Sequence, residues 1–505
     1  MKSPKVLIIF CFFALMFGIS IPGWLKAEDQ ALLNAFDASL RFDLLYPYYP
    51  NAGIDPSIDQ TALDDSDGGF VEDRSSTWAL QQDSDKWIVA QARYTWMAAK
   101  ASQFYANDPS QADLYLQSAA VGFAFLQKMW GYDYGGGNIG IALVVDPDGS
   151  NGRLGFKGNY IVYGHAFAIY AAAAYYAASG EQAALDFAID VYNFINGYAY
   201  DSQFGGYYDN SWSTNKTIET NLHMFEALIE LYQDMPPSHS LRSEVASHIT
   251  ELLAHLHDDA IHCDTDYETD CFAYLVMNRD WSPYSNSISF GHDAEMAMLM
   301  EKALVVLEQD PSTYLTKIKN MVDFLFTHSG YRSDGALYYT GTYNNGNVSV
   351  TDNQLQWWPQ GEGLGAVCLM RKLFPNDPFY SDIINRSWNF IDSDVIDHTN
   401  NGWVRQAGQM NIAKASEWHA NYHSGRALMN CLDWLSDHCE DGIQNYGEEG
   451  VDCGGSCPAC VMFTCPGDFD NDFDVDGNDL ADLILNLSLL NLSTFADEFG
   501  RIDCP

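Results

Sequence analysis

"GHAFAIYAAAAYYAASG", residues 164–180, carries apolar residues at helical spacing for its whole length and stops at Gly180, where a left-handed C-cap is expected. The same spacing runs through Trp87 to Tyr105, Asp113 to Trp130 and Asn221 to Gln233, and most of these helices read as well buried. Between the helices an aromatic-glycine pattern returns: "YDYGGG" at 132–137, "FGGYYD" at 204–209, "CFAYLVM" at 271–277, "ALYYTG" at 336–341 and "NNGWV" at 400–404. The step averages about 67 residues, the length of two helices and a β-like hairpin loop, which marks an internal repeat. Five or six helix pairs can form an open solenoid or a closed toroid. No polar capping repeat marks either end, so closure is expected, as an all-α α/α barrel whose inner helices face a central cleft.

The 505 residues, 47% of them apolar and 14% aromatic, suffice for one large core with smaller additions. A formal charge of −43 argues against nucleic acid and against anionic membrane surfaces, since both need Lys and Arg clusters. Lys2 and Lys5, the apolar run Val6 to Ile19 and a cleavage point after Ala27 make residues 1–27 an expected secretory signal, with the mature chain extracellular or periplasmic. No second apolar stretch reads as a membrane span.

"SFGHDAEMAM", residues 289–298, opens a helix at Ser289 and sets His292 and Glu295 on one face. "TNLHMFEAL" repeats the spacing with His223 and Glu226, "WWPQGEG" gives Trp358 and Glu362, "EWHANYHSGR" gives Trp418, His423 and Arg426, and "AQARYTWMAAKA" puts Arg93 and Trp96 in an apolar helix. A lone histidine on an apolar face is usually a satisfied core residue, but here the set falls on separate repeats. Three chemistries use such residues. Metal binding suits His-x-x-Glu pairs, although di-iron bundles use the reverse order. Glycoside hydrolysis would take Glu295, Glu362 or Asp209 as acid and base and leave three histidines unexplained. Proton transfer beside a carbonyl suits imidazole, with Glu295 orienting His292, an arginine on the developing oxyanion and tryptophan faces for a pyranose.

The blocks "KTIETNLHMFEAL", "DWSPYSNSISFGHDAE", "WWPQGEG", "WHANYHSGRA" and "YGHAFAIYA" resemble the N-acylglucosamine 2-epimerase superfamily, most closely its cellobiose 2-epimerases, over about Lys86 to Trp434. The resemblance implies an (α/α)6 barrel over residues 28–437 that interconverts reducing-end glucose and mannose units without a cofactor, or an aldose-ketose isomerase of the same superfamily. It implies His292 and His423 as the acid/base pair, His223 as the third histidine, Arg93 on the oxygens of the reacting end, Glu295 and Glu362 as positioning carboxylates, and Trp358 and Trp418 as stacking faces. Where the family reads Asn-Thr-His-Leu-His, this chain has Glu219, Thr220, Asn221, Leu222 and His223, so Glu219 and Asn221 become expected sugar contacts of its own. A Trp common in the family is replaced by Met298. A noncatalytic sugar-binding toroid is the remaining alternative.

Elsewhere, "HLHDDAIH" (His255, His257, Asp258, His262) reads as a polar helix end more readily than a metal site, and His165 reads as structural. Cys263 and Cys271 flank an acidic loop that a disulfide can close; Cys368 and Cys431 suit buried thiols. Residues 438–464 form an expected Cys-rich linker with Cys439, Cys453, Cys457 and Cys460. In 465–505, "DFDNDFDVDGNDL" puts Asp468, Asp470, Asp472, Asp476 and Asp479 at calcium-loop positions and resembles a dockerin-type, EF-hand-like calcium repeat, with Phe473 where glycine is usual. Attachment to a cell surface or scaffold is the expected use of that module.

Overall fold

The computed structural model describes residues 27–45, 62–64, 66–79, 84–154, 161–211, 213–264 and 270–436. All lie in the first of two compact units, Met1–Ser436. The leader, the Cys-rich linker and the calcium loop of the sequence reading lie outside the described residues.

Twelve α-helices stand among the described residues: α1 Ala27–Ala38, α2 Ile88–Phe104, α3 Pro109–Lys128, α4 Ile161–Ser179, α5 Gln182–Ala199, α6 Ile218–Asp234, α7 Arg242–Ala254, α8 Phe290–Val306, α9 Ser312–Thr327, α10 Trp357–Leu373, α11 Pro378–Phe390 and α12 Tyr422–Leu435. The even-numbered helices form an inner ring. Each packs on the next, from α2 through α12, and α12 returns to α2. The odd-numbered helices lie outside them, α3 on α2 and α4, α5 on α4, α7 on α6, α9 on α8, α11 on α10 and α1 on α12. The architecture is an (α/α)6 barrel.

Sequence decides which ring a helix joins. The inner helix α4 buries every residue from Ile161 to Tyr175, as a helix apolar on all sides must. It has the length and apolarity of a membrane-crossing helix, a feature the sequence reading did not count, and the barrel core is what surrounds it. The outer helix α9 buries Ile318, Met321, Val322 and Leu325, a one-sided i, i+3, i+4, i+7 stripe. Gly180, at φ 72°, ends α4 in the left-handed conformation expected of it.

Ring closure depends on α1, which the sequence reading did not recognise as an element. Phe36 meets Trp388 edge-on with ring centroids 4.8 Å apart, Trp403 Nε1 donates to Ser39 Oγ at 3.2 Å, and Asn421 Nδ2 donates to the Leu44 carbonyl at 3.0 Å. The sixth helix pair is therefore made from the two ends of the barrel sequence.

Three of the aromatic-glycine turns are short antiparallel pairs, Trp130–Asp133 with Ile139–Ile141, Ile261–Cys263 with Cys271–Ala273, and Thr340–Asn344 with Asn347–Asp352, and the other two make single antiparallel bridges, Tyr200 with Tyr207 and Ile396 with Trp403. The strands Lys86–Trp87, Asn215–Thr217 and Ser287–Ser289 run directly into α2, α6 and α8 and fix where those inner helices begin. Cys263 and Cys271 face each other across their strand pair and are joined by a disulfide; Cys368 and Cys431 are buried free thiols.

Candidate active site

The first two turns of the six inner helices meet at one end of the barrel, around a cavity of about 240 Å³. Its walls are Arg93 from α2, Tyr163 from α4, Glu219 and His223 from α6, His292 from α8, Trp357 and Trp358 from α10 and His423 from α12. The connecting segments add Tyr339, Gln356, Arg405 and Trp418. With the helix N-termini at this end, the partial positive ends of the peptide dipoles favour negative charge that develops in the cavity.

Two of the three cavity histidines are held from behind by carboxylates. His423 Nδ1 lies 2.6 Å from Glu362 Oε1, and His223 Nδ1 lies 3.2 Å from Glu226 Oε2. His292 is different: its Nδ1 lies 2.8 Å from Ser289 Oγ, the same oxygen that caps α8 by accepting from the His292 backbone N–H. Glu295, expected to orient His292, instead accepts from Arg426 Nη2 at 2.5 Å. Arg426 also binds Glu226 and Glu362, which keep their histidines; at His292 it is the Ser289 hydroxyl that occupies Nδ1.

Arg426 is the hub beneath the cavity. It donates to Glu226, Glu295 and Glu362, the last at 2.6 Å, and to Tyr422 Oη at 2.5 Å. Burial opposes ionisation of Glu226, but Arg426, His223 and Tyr422 together overcome it and hold its carboxyl at about 2. At Glu362 burial prevails, aided by the charges of Glu295 and Glu226, and its carboxyl stays well above the usual range despite Arg426. Burial, with Arg93 and Arg426 nearby, drives His423 well below 6.5, and burial also lowers His292. Both are neutral bases at pH 7.

Arg93 is clamped over aromatic faces. Nη1 donates to the Trp418 carbonyl and Nη2 to Tyr163 Oη, each at 2.8 Å, and the guanidinium lies 4.4 Å from the Phe167 ring centroid. Trp358 packs on both His292, at 4.8 Å, and His423, at 5.4 Å. It fits there because Gly291 has no side chain: a Cβ at that position would come within 2.2 Å of the indole.

His223, His292 and Glu295 bring ligating atoms within 4.8 Å of one another, as do Glu295, Glu362 and His423. Arg426 already places its positive charge against Glu295 and Glu362, which opposes a cation in either group. The same contacts bind two of the three carboxylates that a hydrolase reading would use. Asp209, the third, accepts from Thr217 and Thr220 at 2.6 Å each and is not in the cavity wall.

Residues 68–427 match the profile of the family described as N-acylglucosamine 2-epimerase (GlcNAc 2-epimerase). The chain belongs to this family. It is thus a member of a family of carbohydrate epimerases, which are isomerases by reaction class. A cellobiose 2-epimerase of Ruminococcus albus is 24% identical over 392 residues, 73% of this chain and 93% of that protein. That of Bacteroides fragilis is 24% identical over 294 residues, 54% of this chain and 71% of that one. Among solved structures, the cellobiose 2-epimerase of Bacillus thermoamylovorans superposes with a TM-score of 0.66 at 21% identity, covering 80% of this chain and 99% of the other. A D-mannose isomerase superposes with a TM-score of 0.64 at 20% identity, covering 81% and 100%.

Within this epimerase-family barrel, Arg93, Glu219, His223, His292, Trp358, Trp418 and His423 come together at the cavity, while Glu295 and Glu362 lie fully buried behind it. Asn221 does not reach it. Its Oδ1 accepts from the Tyr207 N–H at 2.8 Å and its Nδ2 donates to the Tyr207 and Thr217 carbonyls at 2.9 Å each, so its amide secures the loop ahead of α6 and is not a sugar contact. Sequence reasoning overlooked Tyr163, Tyr339, Gln356, Trp357 and Arg405, and gave Arg426 no role. Tyr163 stands beside the quoted "GHAF" block and Arg426 lies three residues after His423, so both were signalled; Tyr339 and Arg405 sit in loops where periodicity is silent.

The histidines outside the cavity have structural partners. His165 Nε2 accepts the Ile141 N–H at 3.0 Å and Nδ1 lies 2.7 Å from the Ile161 carbonyl, with burial lowering it to about 4. His255 and His257 pair with Asp259 and Asp258 in the π-helical turn His255–Ala260.

Proposed function

We propose that this chain interconverts reducing-end glucose and mannose units of an oligosaccharide, or of a free sugar, by removing and returning the C2 proton of the open-chain form. The observation that carries the reading is the convergence of three imidazoles, His223, His292 and His423, on one cavity. His423 and His223 are each bound through Nδ1 to a buried carboxylate, leaving Nε2 as the nitrogen available to substrate. One of His423 and His292 takes the C2 proton as a neutral base; the electron pair moves onto the C1 carbonyl oxygen to give an enediolate, and the other, after taking up a proton from water in the cavity, returns it to the opposite face of C2, while the first gives its proton back to water. Arg93 and His223 stabilise the oxyanion, and Trp358 and Trp418 carry the apolar face of the sugar. No metal or redox cofactor enters these steps.

Returning the proton to C1 would give a ketose, and the departures at Glu219 and Asn221 from the family pattern keep this aldose-ketose reading as the second one. The test is proton NMR of cellobiose, mannobiose, glucose and mannose incubated with the protein in deuterated water. Deuterium at C2 with a new epimer supports the proposal, a ketose supports the second reading, and glycosidic cleavage without exchange refutes both. We also propose secretion, and calcium binding by Asp468, Asp470, Asp472, Asp476 and Asp479 in a surface- or scaffold-attachment module. Calorimetric titration of the full chain with calcium, against Asp468→Ala, tests the metal site.

A further inference from the structure

Of the three cavity histidines, His292 alone is held by a neutral partner, Ser289, and the carboxylate on its own helix face is taken by Arg426. An imidazole that must become an imidazolium during turnover needs a counter-charge, and one carboxylate on the cavity wall has no hydrogen-bond partner among the described residues. Glu219, the second residue of α6, lies one turn before His223 on the same helix face and is partly buried in the wall, and among the described residues no hydrogen bond engages its side chain. Helix α6 packs directly on α8, which carries His292.

We propose that Glu219 is the counter-charge of His292, a positioning residue that stabilises its protonated form from across the cavity. This rests on His292 acting in proton transfer. Around His292 stand Glu219 and His223 from α6, Arg93 from α2, His423 from α12, and Glu295 and Asp293 from its own helix. Burial lowers its proton affinity and Glu219 is the largest opposing charge, ahead of Glu295. Asp293 is turned away, accepting from the Ala273 N–H at 3.1 Å, and burial raises its carboxyl well above the usual range.

The test is Glu219→Gln, with Glu219→Asp as the charge-preserving control. Proton NMR of the full chain follows the titration of His292, identified as the imidazole signal missing from His292→Ala. Glu219→Gln should move that titration acidward by roughly half a unit to one unit, the effect of a carboxylate across a partly solvated gap, and Glu219→Asp should restore most of it. The titration needs no substrate, so it stands or falls separately from the proposed reaction. In the C2-exchange assay the acid limb of the pH profile should shift in the same direction and kcat should fall several-fold with little change in KM. An unmoved His292 titration overturns the proposal; so does an unmoved acid limb with a raised KM, which would make Glu219 a simple sugar contact.

Discussion

Replacing Arg426 by methionine keeps most of the side-chain volume and removes the charge that three buried carboxylates share. Glu226 is held at about 2 against an ordinary 4.5, which corresponds to about 3 kcal/mol of stability at neutral pH. Breaking a buried ion pair from one side independently costs about 3–5 kcal/mol. For roughly 400 ordered residues, unfolding entropy near 2 cal/mol/K per residue turns about 4 kcal/mol into a fall in Tm of about 5 °C. The pH dependence gives a sharper test. In the wild type the Glu226 contribution is fully present above 4.5 and is lost as pH falls towards 2. In Arg426→Met the carboxylates lose their cation, burial raises them, and the folded form binds more protons than the unfolded one, so the variant gains stability as pH falls from 7 to 5. The gap between the two proteins must therefore narrow on acidification. Urea unfolding followed by tryptophan fluorescence at pH 5, 6 and 7 measures it. A loss below about 1 kcal/mol at pH 7, or a gap that widens at pH 5, refutes the account of Arg426 as the hub.

Three further outcomes are expected. His292→Ala and His423→Ala should each lower C2 proton exchange by at least about a hundredfold, with circular dichroism unchanged, since a positioned acid or base contributes about 10²–10⁴-fold. Gly291→Ala should push the Trp358 indole into the cavity, because the new Cβ would meet it at 2.2 Å; the overpacking should cost about 1–3 kcal/mol, and sugar affinity read by tryptophan fluorescence should fall. Cys263→Ser with Cys271→Ser opens a loop with a sequence separation of 8 and should lower stability by roughly 2–3 kcal/mol in chemical denaturation while leaving exchange kinetics intact, as the strand pair lies outside the cavity wall.

Much of the barrel was legible because each repeat states its own structure locally. The unbroken apolar run of α4 announces an inner helix, and Gly180 announces its end, from residues that need no knowledge of distant partners. Closure was legible only as an inference from missing caps. Its physical cause, α1 packing on α12, joins segments nearly 400 residues apart, and no periodicity connects Phe36 with Trp388 or Ser39 with Trp403. The site divides in the same way. His223, His292, Trp358 and His423 were visible as chemistry-bearing residues at the starts of helices, where the repeat itself says that they converge. Which carboxylate serves which histidine was not visible.

The spacing rule pairs Glu295 with His292 as readily as Glu226 with His223, yet only the second pair forms: Arg426 binds both carboxylates, but the ring nitrogen of His292 is held by the Ser289 hydroxyl that caps its helix. Helical spacing fixes which side chains can meet; a competing partner as local as the helix cap decides which of them do. The consequence is a division of labour within the cavity. His423 and His223 have their carboxylates behind them, in the dry interior, where a fixed partner holds the ring and its tautomer. His292 is hydrogen-bonded to Ser289, and the charge that most favours its protonated form stands in the cavity wall, on Glu219. Sugar entering the cavity displaces solvent and strengthens the Glu219 field on His292, since the same charge acts across a lower dielectric. Substrate binding should therefore raise the proton affinity of His292 more than that of His423, whose carboxylate is already desolvated. The acid limb for kcat should then lie at higher pH than the His292 titration of the free enzyme, and Glu219→Gln should abolish that difference. An acid limb for kcat that coincides with the free-enzyme titration in the wild type would show that the coupling is absent.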